Sequence, residues 1–130
     1  MEIFNDIRLV GLDTKLTRPS PSASGMNLVY FNLSAVPPPG WANIFSQKRE
    51  FPRHNMWRHA HVEGDHIVVD CVLDEIERYH LNDIKTDVVN SNQKYRQLLA
   101  QRERHQQQAQ AAREKAQAEI DELANRLNFD

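Results

Sequence analysis

After residue 80, hydrophobic positions recur at three- and four-residue steps, while no glycine follows Gly64 and no proline follows Pro52. This spacing places apolar side chains on one face of a helix, and the two helix-breaking residue types are absent. The pattern therefore predicts one long helix over residues 81–127. Its first half carries an apolar stripe that we expect to pack on the preceding domain, formed by Leu81, Ile84, Val88, Val89, Tyr95, Leu98 and Leu99.

The second half of this helix changes in character twice. Over residues 101–117 the apolar side chains are alanines set among Gln, Arg, Glu and Lys, which favour a helix but leave little to bury. Apolar residues then return at four-, three- and four-residue steps, the spacing of a short coiled-coil seam. We predict that this seam and the aromatic residue beyond it bind a partner; the residues are Ala116, Ile120, Leu123, Leu127 and Phe129.

The length of the predicted helix bears on what its far end contacts. A helix over residues 82–127 would be about 69 Å long, whereas a compact domain formed by residues 1–80 would be about 30 Å across. We therefore expect the helix of residues 81–130 to extend beyond the domain and to bind a second protein chain, with a homo-oligomer as the simplest case. A fold-back and a frayed tail are the alternatives, but a frayed tail would leave an exposed apolar patch.

Residues 1–80 have the pattern of a small α+β domain. A short helix, with Trp41, Ile44 and Phe45 along one side, is predicted after the proline-rich residues 37–40. Alternating apolar positions predict four strands, of which the second should be central because both of its faces are apolar. These strands cover residues 2–12, 26–36, 56–62 and 66–73.

The connections between these elements carry local signals. Gly64 marks a tight hairpin, Asp74 and Glu77 have the spacing of a capping box for a short helical segment, and Asn82 is a candidate cap for the long helix. Residues 13–25, rich in Ser, Thr and Pro, predict an exposed and mobile connection. The resulting order ββαββα predicts a four-stranded, mainly antiparallel sheet with helices on one face.

Charge and composition narrow the classes of function. The chain has 16 basic and 18 acidic side chains and a net charge of -2, which does not favour binding to nucleic acid or to an anionic membrane. A single cysteine excludes an intrachain disulfide and a thiolate metal cluster. No apolar run approaches the ~18 residues that cross a bilayer, and the N-terminus lacks a signal-peptide pattern. We therefore expect a cytoplasmic protein without membrane attachment.

A basic and aromatic stretch within residues 48–61 supports an alternative function. Basic side chains beside aromatic rings can contact phosphates and stack on bases, which makes nucleic-acid binding the main competing hypothesis. The residues that would carry it are Lys48, Arg49, Arg53, Trp57 and Arg58. A solvated or protein-binding surface explains the same residues, because Glu50 lies among them and the domain is slightly acidic.

A cluster of histidines supports a second alternative, metal binding. His59 and His61 are two residues apart on a predicted strand, so their side chains share a face, and His66 follows across the predicted hairpin. Such a set can hold Zn²⁺ or another divalent ion. No spacing fixes the third ligand, however, and a polar, solvent-facing surface explains the histidines as simply.

Signatures of catalysis are weak. Cys71 lies in an apolar strand, as is typical of a buried small side chain, and no serine occupies a Gly-x-Ser-x-Gly elbow. Phosphate-loop and dinucleotide-binding glycine patterns are absent from the sequence. We therefore predict a non-enzymatic protein-interaction or oligomerisation protein with no cofactor. Its size and shape are those of many accessory and inhibitor proteins of bacterial operons and mobile elements, which is an analogy of shape alone.

Overall fold

An antiparallel sheet and a long C-terminal helix form the computed structural model, which describes residues 3–130. The predicted α+β fold class is confirmed. The strands are β1 (Leu9–Leu12), β2 (Arg18–Pro19), β3 (Asn27–Leu33), β4 (Ala60–Glu63) and β5 (His66–Cys71). The helices are α1 (Pro39–Arg49) and α2 (Leu81–Arg126), and a π-helical segment, Ile76–His80, directly precedes α2.

The strands are ordered β1-β3-β5-β4, and β2 pairs with β3 beside β1. All of these pairings are antiparallel. Strand β3 is central, as predicted, because β1 and β2 pair along one edge and β5 pairs along the other. Strands β4 and β5 form the predicted hairpin, in which Gly64 takes a positive φ of 59° that other residues rarely adopt.

The N-terminal part of the sheet differs from the prediction in two places. Strand β1 begins at Leu9, because the backbone of Ile7 pairs with a side chain instead of a strand: its N–H donates to Asn92 Oδ1 (3.0 Å), and its carbonyl accepts from Asn92 Nδ2 (2.8 Å). The connection over residues 13–25 contains β2. Nearby, the Tyr30 amide donates to Thr17 Oγ1 (3.1 Å), so this connection is bonded to the central strand.

The predicted caps at the start of α2 were wrong. The π-helical segment runs into α2 without a break, so Asn82 lies inside a continuous helical stretch and has no helix end to cap. No side chain caps the π-helical segment either. The residue at its N-terminus, Glu75, instead bonds to side chains from elsewhere in the fold, as described below.

The inward face of α2 is more polar than predicted. Its buried residues are Ile84, Asp87, Val88, Ser91, Asn92 and Tyr95, whereas the predicted Val89 is 54% exposed. Asn92 also accepts from Trp41 Nε1 (2.8 Å), which ties α1 to α2. Gly40 allows the two helices to approach, since a Cβ at this position would lie 3.0 Å from the Tyr95 ring. Polar bonds thus fix α2 in place alongside apolar packing.

The chain divides into two compact units. One is Phe4–Arg96, which holds the sheet, α1 and the first turns of α2. The other includes Gln97–Asp130, which is the remainder of α2 and the four residues after it. The hydrophobic core belongs to the first unit and is built from β3, β5, α1 and the start of α2.

Candidate functional site

The predicted partner-binding residues lie on an exposed helix surface. Every residue over positions 110–130 is exposed, and the exposed fractions are 58% for Ile120, 47% for Leu123 and 50% for Leu127. The Leu127 amide donates to the Leu123 carbonyl (3.1 Å), so helical bonding reaches one residue past Arg126. Four of the predicted residues, Ala116, Ile120, Leu123 and Leu127, are therefore spaced along one helix face; we call this face the C-terminal seam.

The helix that carries the seam is stabilised locally. Gln110 donates to Glu114 and Gln117 donates to Asp121, each across one helical turn at 3.0 Å. Such pairs contribute about 0.2–0.5 kcal/mol each, and the intervening alanines have the highest helix propensity. Phe129 lies beyond the helix and is 86% exposed. The seam is thus an apolar surface that no other part of residues 3–130 buries.

Residues of the basic stretch form contacts within the folded domain, and Arg49 is the most buried of them. The Arg49 side chain is 1% exposed. Its Nη1 donates to Asp87 Oδ2 (3.1 Å), and its Nη2 donates to the Arg58 carbonyl (2.6 Å). The guanidinium carbon lies 3.6 Å from the centre of the Trp57 ring, whose Nε1 donates to the Arg49 carbonyl (2.9 Å). Burial lowers the pKa of Arg49, and the Asp87 carboxylate opposes that effect.

Two neighbours of Arg49 bind acidic residues of α2. Arg53 Nη1 donates to Asp87 Oδ1 (2.8 Å), and the Arg53 guanidinium lies 4.6 Å from the centre of the Trp57 ring. His54 Nε2 is 2.6 Å from Asp83 Oδ2, and His54 Nδ1 accepts from the Met56 amide (3.1 Å). Because Nδ1 accepts, Nε2 is the nitrogen that carries the proton and donates to Asp83.

A second ion-pair group joins the residues just before β4 to the start of the π-helical segment. Arg58 forms two parallel bonds to the Glu75 carboxylate, Nε to Oε1 and Nη2 to Oε2, each at 3.0 Å. His80 is fully buried, and its Nε2 lies 3.1 Å from Glu75 Oε1. The hydrogen bonds from Arg58, and then the one from His80, lower the pKa of Glu75 to about 2. The pKa of Arg58 shifts in the opposite direction, because its hydrogen bonds to Glu75 raise it.

These contacts bear on the predicted nucleic-acid surface. Of its five residues, Arg49, Arg53 and Arg58 are paired with carboxylates, and Trp57 stacks on two of those arginines. Lys48 is half-buried near the C-terminal end of α1. The local excess of positive charge seen in the sequence is therefore balanced by acidic residues from other elements. Nucleic-acid binding through this stretch stays a prediction from the sequence.

The three histidines predicted to bind metal are not gathered around one point. His59 and His61 have ring centres 5.7 Å apart, in agreement with a shared face. His66 is engaged elsewhere, with Nε2 3.2 Å from Asp13 Oδ2 and Nδ1 2.9 Å from Asp65 Oδ1. Within residues 3–130, no group of three or more His, Cys, Asp or Glu side chains is placed to hold a metal ion.

An open, mainly apolar cleft of about 490 Å³ lies between β1 and the start of α2. Strand β1 lies at the end of the strand order, and all four of its residues line this cleft. Glu77 and Lys85 are the charged residues in the lining, and the apolar residues include Leu9, Leu12, Phe31, Leu73, Ile76 and Leu81. A cleft of this volume, with an apolar lining and two charged groups, lies within the range of small-molecule binding clefts.

Cys71 is fully buried in β5, and burial raises the pKa of its thiol to about 11. The reactive form of cysteine is the thiolate, which is both scarce and inaccessible here. We expect the native protein to react with a thiol reagent such as DTNB at least about 100-fold more slowly than the urea-unfolded protein. Equal rates in the two states would show that Cys71 is accessible in the native fold.

Sequence analysis missed the acidic and amide residues that complete these contacts. Asp83 and Asp87 fall on the helix face that carries Ile84 and Val88, but charged side chains are usually found at the surface, so the sequence gives no reason to place them inside. Glu75 lies between the two residues of the predicted capping box, and nothing in the sequence indicates that it binds distant side chains. For Asn92, the one indication of burial is its position four residues after Val88. A helical wheel drawn without regard to polarity would have placed Asp87 and Asn92 inside.

Known proteins give no further indication of the site. Among the helices of residues 3–130, none is both long and apolar enough to cross a membrane. Comparison of the chain with protein-family models, with curated proteins and with solved structures found no significant match.

Proposed function

We propose that this protein has a non-enzymatic function as an oligomerisation protein, in which the C-terminal helix joins copies of the chain. The exposure of the C-terminal seam is the observation that carries this proposal. Three large aliphatic side chains on one face of a regular helix are about half exposed or more. Surfaces of this kind mark sites of protein association.

Energetic considerations support the same function. Complete burial of a leucine or isoleucine side chain contributes about 1.5–3 kcal/mol. The seam already lies on a formed helix, so association would require little additional ordering of the backbone, and ordering is a major cost of binding. The rest of the surface over residues 101–126 is rich in Gln, Arg, Glu and Lys, which would remain in water when the seam is covered.

The solution mass tests this proposal directly. We expect light scattering coupled to size exclusion to give a mass above the 15.1 kDa of one chain, rising towards a limit with protein concentration. Leu123→Glu places a charge in the middle of the seam, so it should reduce the mass to that of the monomer over the same range. The reason is that burial of a carboxylate without a partner is more unfavourable than the surrounding apolar packing is favourable.

Ala118→Glu is a matched control for this experiment. It adds the same charge to the same helix, but position 118 is not on the seam, so we expect the mass of this variant to equal that of the original protein. The proposal fails if the unaltered protein is monomeric at every concentration. It also fails if both variants lower the mass equally, since the effect would then come from charge and not from the seam.

A further inference from the structure

We infer that the C-terminal seam binds the same seam of a second copy with the two helices antiparallel, in a register that brings Ile120 of each chain against Leu123 of the other. This inference rests on the proposed function, because it specifies how the helices pair. Its basis is the heptad assignment of the exposed helix. Ile120 and Leu127 occupy positions a, and Ala116 and Leu123 occupy positions d.

The apolar layers complement each other in this register. Antiparallel helices place each a residue against a d residue of the other helix. With Ile120 against Leu123, the next layer outward joins Ala116 to Leu127, and both layers occur twice by the symmetry of the pair. A small residue thus meets a large one at each outer layer, while two residues of similar size meet at each inner layer. All four layers are apolar.

The flanking charges agree with the same register. Glu119 and Arg126 both occupy position g, the residue before an a position. Antiparallel pairing brings g positions together, and in this register Glu119 of each copy faces Arg126 of the other. The two opposite charges on the helix are therefore spaced so that each one faces the opposite charge of an antiparallel second copy. Both residues are exposed, so the charges are available to a second copy.

Other arrangements of two copies lose these matches. A parallel pair places every a and d residue against itself, which would bring Arg113 at position a against Arg113 of the second copy. In that pair Glu119 would face Ala124, which has no charge. Longer antiparallel overlaps would place Arg102, Gln106 or Arg113 in the seam. Like charges and unpaired polar groups in a seam are unfavourable, so the short antiparallel register is preferred.

Disulfide trapping between two variants tests the direction and the register. We would prepare full-length Ala116→Cys and Leu127→Cys chains, mix them in equal amounts, and oxidise them under mild conditions. The inferred register predicts a disulfide between residue 116 of one chain and residue 127 of the other as the main product. Cys71 is fully buried and should not contribute, which oxidation of the unaltered protein under the same conditions would verify.

The products separate failure of this inference from failure of the proposed function. Disulfides that join only identical variants would show a parallel pair, so the register would be wrong while self-association stood. A dimer by light scattering that gives no disulfide between the two variants would likewise overturn the register. A chain that is monomeric without oxidation would overturn the proposed function and this inference together.

Charge reversal gives an independent readout. Glu119→Arg alone should raise the dimer dissociation constant about tenfold, because it replaces two attractive contacts by repulsive ones. The double variant Glu119→Arg/Arg126→Glu restores opposite charges and should return the constant to within about threefold of the original. In a parallel pair neither residue faces a charge, so equal dissociation constants for all three proteins would contradict the inference.

Discussion

Replacement of Asp87 by alanine is expected to lower the free energy of unfolding by about 3–5 kcal/mol, the usual cost of breaking a buried ion pair from one side. The Asp87 side chain is fully buried and bonds to both Arg49 and Arg53. Without it, the Arg49 guanidinium, which is 1% exposed, keeps its charge and loses its counterion. Urea unfolding of the unaltered and substituted proteins at one protein concentration would measure the difference.

Two further variants test the reason for this loss. Asp83→Ala removes an acidic residue from the same helix face, but Asp83 is 21% exposed and binds the more exposed Arg53 and His54. It should cost less than about 1 kcal/mol. The double variant Arg49→Met/Asp87→Leu removes both buried charges and should recover most of the stability lost in Asp87→Ala, because neither charge is then left unpaired. Equal losses in Asp83→Ala and Asp87→Ala would contradict the buried-pair explanation.

The sheet could be predicted because residues close together in the sequence specify each of its strands and turns. Strand β5 places Ile67, Val69 and Cys71 on one face at a two-residue period, and Gly64 marks the turn that precedes it. Strand β3 carries apolar residues on both faces, which is the pattern of a central strand. The long helix follows equally from local periodicity and from the absence of glycine and proline. In each case neighbouring residues specify the element without any knowledge of distant contacts.

The buried polar contacts could not be predicted because their partners are far apart in the sequence. Asn92 bonds to the backbone of Ile7 across 85 residues, and Arg49 bonds to Asp87 across 38 residues. Each of these polar side chains belongs to a residue type that is usually found at the protein surface. Only the fold brings the arginines of the basic stretch against the carboxylates that balance them. The sequence of the basic stretch alone therefore shows its positive charges but not the carboxylates that pair with them.

The candidate association surface is a different case, since its pattern is local but its partner is another chain. The spacing of Ala116, Ile120, Leu123 and Leu127 predicted the seam, and the structure places these residues on an exposed helix. A buried stripe on a helix is explained by the domain it packs on, as for Ile84 and Val88. An exposed stripe of the same period has no such explanation within residues 3–130, which is why the proposed function rests on it.

Acidic pH is expected to destabilise the folded unit through Glu75. Its pKa is about 2 in the folded protein and 4.5 in the absence of these contacts. Since the folded value is the lower one, the carboxylate stabilises the fold fully above the unfolded pKa, and this contribution is lost as the pH falls towards 2. A shift of this size corresponds to at most about 3 kcal/mol. The pKa of Asp13 is also lowered, mainly by the Leu16 amide, so the total pH dependence includes another carboxylate.

Comparison with Glu75→Gln isolates the contribution of Glu75. Urea unfolding of both proteins between pH 7 and pH 2, in the Leu123→Glu background to exclude association, should show the variant to be less stable at pH 7. The difference should then shrink below pH 4.5 and disappear near pH 2, where the carboxyl group of the reference protein becomes protonated. A stability difference that is independent of pH would show that the Arg58 and His80 contacts do not act through the charge of Glu75.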